Sequence, residues 1–72
     1  MYKPIRIVTE HYVLESRKRM TLDGRIVWNV RVCYKGEEDK IPWEKWFTAG
    51  IITKNKKDAV FAMNYASTRV YK

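Results

Sequence analysis

Cysteine, histidine, glycine and proline are all scarce in this chain of 72 residues. Cys33 is the only cysteine, so an internal disulfide is impossible and a disulfide-stapled secreted scaffold is excluded. With His11 as the single histidine there is no Cys/His cluster to hold a metal. Three glycines and two prolines leave no Gly-rich phosphate loop and no Pro-rich linker. No run approaches the 18 apolar residues that cross a bilayer. The opening "MYKPIRIVTE" lacks the apolar core of a secretory signal. No internal repeat, metal-ligand spacing or Ser-His-Asp signature occurs. The expectation is therefore a cytoplasmic, non-enzymatic protein without cofactor or metal, and not a membrane protein. Acid is scarce too. Eight Asp and Glu stand against fifteen Lys and Arg, giving a net charge of +7 and a pI near 9.8. Such a balance points to an anionic partner.

What is present is enough for one small domain over residues 1–72. Apolar residues make up 46%, and three Trp, five Tyr and two Phe supply large buried areas. "IRIVTEHYVLESRKRM" is β-branched and aromatic, without Gly or Pro, and reads as a first strand over about 5–20. "TLDG" is a turn signal. "RIVWNVRVCYK" alternates cleanly and gives a second strand over about 26–35. "GEEDKIP" reads as a polar loop. "WEKWFTAGIIT" gives a third strand over about 43–53, weakened or bulged at Gly50. The period then changes to that of a helix over about 56–70. Asn55 is a good N-cap, and Asp58 suits the first turn. Ala59, Ala62, Met63, Ala66 and Val70 form one stripe of mostly small residues that can lie close on a sheet, with Phe61 and Tyr65 half-buried beside it. The fold class expected is α+β: a three-stranded antiparallel sheet (β-β-β-α) with the C-terminal helix on one face.

The direction of the basic side chains follows from the hairpin register. Ile26, Trp28, Val30, Val32 and Tyr34 are apolar and must face the helix, so Val27, Asn29, Arg31, Cys33 and Lys35 face away. A two-residue loop at Asp23-Gly24 would set Arg17 and Arg19 on the apolar face, which is costly. A three-residue loop, Leu22-Asp23-Gly24 with Gly24 left-handed, instead pairs Trp28 with Lys18, Val30 with Ser16, Val32 with Leu14 and Tyr34 with Tyr12. The stem of Lys18 then covers Trp28. The face away from the helix, expected to be uncovered, carries Arg17, Arg19, Asn29, Arg31 and Lys35, with Val13, Glu15, Val27 and Cys33 between them. Arg25 stands at the hairpin tip. Arg and Asn are the side chains that read guanine and adenine in a major groove wide enough for a β-ribbon. Lys54, Lys56 and Lys57, at the helix start, are placed to contact phosphates. The competing reading is an ordinary solvated sheet face.

Asp23-Gly24, Trp28-Asn29-Val30-Arg31-Val32, Trp46-Phe47 and Asn55-Lys56-Lys57-Asp58-Ala59 together resemble the arm-type DNA-binding domain of phage and transposon tyrosine integrases. They are also similar to the plant ethylene-response DNA-binding domain. The likeness spans roughly residues 10–70, with Asn in place of the usual Thr cap, a longer first strand and no catalytic domain following. It implies a sheet face in the major groove, with Arg17, Arg19, Asn29, Arg31 and Lys35 toward DNA, in a phage or mobile-element accessory protein.

Other features qualify this picture. In a strand, Trp43 and Trp46 point to opposite faces; with Trp43 inward, Trp46 is free to stack on a base, unless a bulge turns it into the core. The acidic "GEEDK" fits no cation site and belongs at the rim of any DNA contact. Cys33, among arginines, is expected to have a lowered pKa or to be an indifferent thiol. An alternative function is a small phage-type inhibitor of a host protein, anchored by Tyr2, Trp46, Phe61, Tyr65 and Tyr71. RNA ranks below DNA, because the face supplies few aromatics. Ile5, Ile7 and Val8 are too apolar to be left exposed, and suggest pairing with the third strand or a weak homodimer through a sheet edge.

Overall fold

The computed structural model describes residues 3–72. It is α+β, with one antiparallel sheet in the order β1-β2-β3-β4 and one C-terminal helix. The strands are β1 (Ile5–Val8), β2 (Tyr12–Met20), β3 (Ile26–Tyr34) and β4 (Phe47–Thr53); α1 spans Lys56–Arg69. A single 3-10 turn, Trp43–Lys45, precedes β4.

The sheet thus has four strands rather than three. The expected first strand is broken at Glu10-His11, where the chain folds back as a tight hairpin. The Thr9 N–H donates to the Tyr12 carbonyl at 2.8 Å, and the Tyr12 N–H donates to Thr9 Oγ1 at 3.0 Å. β1 pairs with residues 13–16 of β2, with Ile7 beside Leu14 and Ile5 beside Ser16. Ile5 and Ile7 pack on the core, so the apolar lead-in that suggested edge pairing is covered within the chain. Val8 is exposed.

The β2–β3 register is the one expected: Lys18 opposite Trp28, Ser16 opposite Val30, Leu14 opposite Val32 and Tyr12 opposite Tyr34. Gly24 has φ +86°, which an L side chain adopts only with strain, and its N–H donates to the Thr21 carbonyl at 3.0 Å. β4 pairs with residues 28–32 of β3, and the register jumps between Val30 and Arg31, leaving Ala49 and Gly50 as a bulge.

Both faces of the sheet are covered in part. Between the sheet and α1 the core joins Leu14, Val30 and Val32 of the sheet to Met63 and Ala66 of the helix, with Ile5, Ile7, Tyr12, Ala49, Ile51 and Tyr71 packed against them. The Asn55 side chain caps α1 by accepting from the Asp58 N–H at 2.8 Å. Ala59, Met63 and Ala66 of the stripe are buried, whereas Val70 is exposed and Tyr71 takes the core position beyond it. Tyr71 meets Tyr12 edge-on, and Tyr12 stacks on Tyr34. Phe61 and Tyr65 are exposed rather than half-buried.

On the other face lies a second cluster of Val13, Cys33, Trp43 and Trp46, with Ile41 against it. The segment 36–46 crosses the sheet as a strap and pins two indoles to it. Trp46 therefore joins the core, and Trp43 does not face the helix: both indoles sit opposite α1. Their N–H groups are satisfied, Trp43 Nε1 by the Glu15 carbonyl at 3.0 Å and Trp46 Nε1 by the Ile41 carbonyl at 2.8 Å. Burying a side chain of this size contributes roughly 3 kcal/mol.

Candidate nucleic-acid interface

The strap divides the face opposite the helix. One half lies under Trp43 and Trp46. Among the described residues the other half continues onto a two-stranded ribbon, because residues 17–20 of β2 have no β1 partner and Ile26 and Val27 of β3 have no β4 partner. The boundary between the halves is an arginine cluster.

That cluster is built on Glu15. Arg6, Glu15 and Arg31 are direct cross-strand neighbours on β1, β2 and β3. Glu15 is only 2% exposed. Its Oε1 accepts from Arg6 Nε at 2.8 Å and lies 2.7 Å from Arg6 Nη2; its Oε2 accepts from Arg17 Nε at 2.6 Å. A buried carboxylate is tolerable only with such partners. The hydrogen bond to Glu15 raises the Arg6 pKa, against the opposing effect of burial, and the charges of Glu15, Asp39 and Glu38 add to the rise.

Above Glu15 stands the indole of Trp43, which gathers three guanidiniums. Arg17 and Arg31 lie 5.2 Å from its ring centroid and Arg19 lies 5.8 Å away, all within cation–π range. Arg31 Nη1 also donates to the Trp46 carbonyl at 3.1 Å, while its buried Nε has no hydrogen-bond partner among the described residues. Among the described residues no carboxylate pairs with Arg19 or Arg31. Arg6 and Arg17 thus share the one buried carboxylate, while Arg19 and Arg31 are held on the indole without one.

The expected site residues fall into two groups. Arg17, Arg19, Asn29 and Arg31 come together, with Asn29 directly across from Arg17 and half-buried. Arg25 lies at the hairpin tip, 3.1 Å from Asp23. It shares with Lys54 an open hollow of about 510 Å³, floored by Ile26 and Val27. Lys56 and Lys57 follow in the exposed first turn of α1. Lys35 does not join them. It lies six residues beyond Asn29, about 20 Å along the strand, at the end where the acidic strap begins.

Two further expectations are corrected. The face is not uncovered, because the strap occupies the half that contains Cys33. Cys33 is buried, and burial pushes its thiol pKa up rather than the arginines pulling it down. Glu38 accepts from the Gly36 N–H at 2.6 Å, and its carboxyl is held below the ordinary range by its own backbone N–H and that of Gly36. Glu38 and Asp39 face Arg6 and Arg17 across a hollow of about 490 Å³. The acidic run is thus folded against the arginine rim.

Arg6, Glu15 and Trp43 were not singled out by sequence as parts of the site. Only Arg6 left a usable signal: it alternates with Ile5 and Ile7, so pairing of that segment puts it on the arginine face. Comparison of the chain with family models, with curated proteins and with solved structures finds no match. The likeness to integrase arm domains therefore rests on the residues quoted above.

Proposed function

We propose that this chain is a non-enzymatic module that binds duplex DNA through the arginine cluster and the β2–β3 ribbon. One observation supports it above the others: Arg6 and Arg17 on the buried Glu15 carboxylate, and Arg17, Arg19 and Arg31 on the Trp43 indole, form one cluster at the base of a ribbon bearing Arg25, with Lys54, Lys56 and Lys57 following in the chain after β4. Guanidiniums pre-ordered on an indole lose little freedom on meeting phosphate. The strap stands above half of the face, so the sheet cannot lie flat on DNA. The ribbon can enter a major groove about 12 Å wide, tip first. Arg17 and Arg19 then meet one phosphate wall, Lys18 on the opposite ribbon face meets the other, and the helix-start lysines follow the backbone. The test is fluorescence anisotropy with labelled duplex DNA, single strands and RNA at two salt concentrations. The expected result is preference for duplex, weakening with salt. The combined variant R17A/R19A/R31A should lose most of the affinity; unchanged binding refutes the proposal.

The exposed aromatic pair Phe61 and Tyr65, one turn apart on α1, favours a second reading as a protein-binding inhibitor. Trp46 and Tyr71 are no longer available as anchors, and Tyr2 lies outside the described residues. Stoichiometric, nuclease-resistant capture of one protein, lost in F61A/Y65A, would support this reading over DNA.

A further inference from the structure

The hairpin tip combines rigidity with apolarity. The Thr21 N–H donates to the Arg25 carbonyl at 2.8 Å, and the Arg25 N–H donates to Thr21 Oγ1 at 3.1 Å. Thr21 Oγ1 also donates to the Asp23 carboxylate, which in turn holds Arg25. This braced loop presents Leu22 fully to solvent, with the cross-strand pair Met20 and Ile26, both exposed, immediately behind it. Three exposed aliphatic side chains therefore end a ribbon whose flanks are cationic: Arg17 and Arg19 on one face, Lys18 on the other, Arg25 beside the apex.

From this juxtaposition we infer that the tip reads the 5-methyl groups of thymine on the major-groove floor, with Leu22 as the specificity-determining residue. The inference rests on the DNA-binding reading above and deepens it. The cations on the two ribbon faces match the two phosphate walls, which leaves the apex facing the base edges. There the thymine methyl is the one apolar group a base pair presents. Leu22, Met20 and Ile26 have no hydrogen bond to offer guanine or adenine and gain by covering a methyl, while the polar groups of the loop, Asp23 and Arg25, are paired with each other. Anionic lipid is the competing target for an apolar tip among cations. DNA is favoured because Arg17 and Arg19 follow one another along one ribbon face, with Asn29 across from Arg17, instead of ringing the apex in one plane.

The experiment compares two probes, a duplex of alternating adenine and thymine and the same duplex with every thymine replaced by uracil. The two differ only by the 5-methyl groups. Wild type should bind the thymine duplex about threefold to fourfold more tightly for each methyl buried. The L22N variant should bind both duplexes alike, because an amide gains nothing from the methyl. Leu22 is wholly exposed, so this variant keeps the fold. Equal binding of both duplexes by wild type, or undiminished discrimination by L22N, overturns the inference. If wild type binds both duplexes equally while R17A/R19A/R31A weakens both, the tip reading fails and the DNA reading stands. If the triple variant weakens neither duplex, the DNA reading itself fails. Leu22-dependent binding to phosphatidylserine vesicles without discrimination between the duplexes also overturns the inference, in favour of a lipid surface.

Discussion

Replacing Glu15 by Gln should make the protein less stable and its DNA binding stronger. The amide has the shape of the carboxylate but turns an –NH2 toward guanidinium donors, so one of the two arginines loses its acceptor and the other loses charge assistance. Hydrogen bonds to charged groups contribute about 1.5–3 kcal/mol each. Arg6 and Arg17 keep 43% and 37% of their side-chain surface in water, which discounts the sum. A net loss of about 2–3 kcal/mol is expected. For a domain of this size total stability is roughly 4–10 kcal/mol, so E15Q remains folded in buffer. With a urea m-value of about 1 kcal/mol/M, its midpoint should fall by about 2–3 M. The face meanwhile gains one unit of positive charge and frees a guanidinium for phosphate. Each added phosphate contact steepens the salt dependence by about 0.9 logarithmic units. E15Q should therefore bind duplex DNA more tightly at low salt and lose about threefold more affinity than wild type between ~50 and ~200 mM. Urea titration followed by tryptophan fluorescence, with anisotropy titrations at both salts, reads both effects. A stability loss with unchanged affinity and slope would remove the arginine cluster from the interface. An unchanged urea midpoint would refute the account of Glu15 as the anchor of the cluster.

Trp43→Phe keeps an aromatic ring but loses the bond to the Glu15 carbonyl and weakens the cation–π contacts; it should cost about 1–2 kcal/mol in urea titration, against about 3–5 kcal/mol for Trp43→Ala. Asn55→Ala removes the helix cap and should cost about 0.5–2 kcal/mol in urea titration. The Cys33 thiol should resist a thiol-specific disulfide reagent in the native protein and react fully in urea. Because its folded pKa is raised, the thiol's share of stability is present below pH 9.0 and is lost as the pH rises through the folded value, a loss absent in Cys33→Ala. Glu38 has the opposite sign: its folded pKa is lowered, so its contribution is present above pH 4.5 and is lost as the pH falls through the depressed value. Glu38→Gln should flatten that part of the acid limb of a stability–pH profile.

The β2–β3 hairpin and α1 were legible in the sequence because local rules decide them. The strict alternation from Ile26 to Tyr34, together with the cost of burying Arg17 and Arg19, selected the three-residue loop. Asn55 and the alanine stripe marked the helix. The gathering of Arg17, Arg19, Asn29 and Arg31 on one face follows from that register and was legible as well. The fourth strand was not, because Thr9-Glu10-His11 lacks the Gly or Asn that usually flags a hairpin; the turn is made by side-chain hydrogen bonding from Thr9 and by the gain in covering Ile5 and Ile7. The strap was illegible for a different reason. A 3-10 turn after Pro42 breaks the strand alternation and sends Trp43 and Trp46 to one side, and only tertiary packing on Val13 and Cys33 decides which side. Glu15 looked like a spacer among basic residues because its importance depends on burial, and burial depended on the strap.

Each strand of this sheet pairs with the strand next to it in the chain. The β1–β2 and β2–β3 connections span only a few residues, so most of the sheet can zip up by closing short loops at small entropic cost. The exception is the segment between β3 and β4, which must loop out, lay its indoles across the sheet and return. Trp43 is the surface on which Arg17, Arg19 and Arg31 assemble, so the charged cluster exists as an ordered unit only after that segment docks. A chain with the hairpin formed and the helix seated, but the strap undocked, would hold the same arginines as separate, mobile cations. Readiness to bind is thereby tied to the longest loop closure among the described residues, and a polyanion that prefers the assembled cluster would in turn act as a ligand for the completed native state.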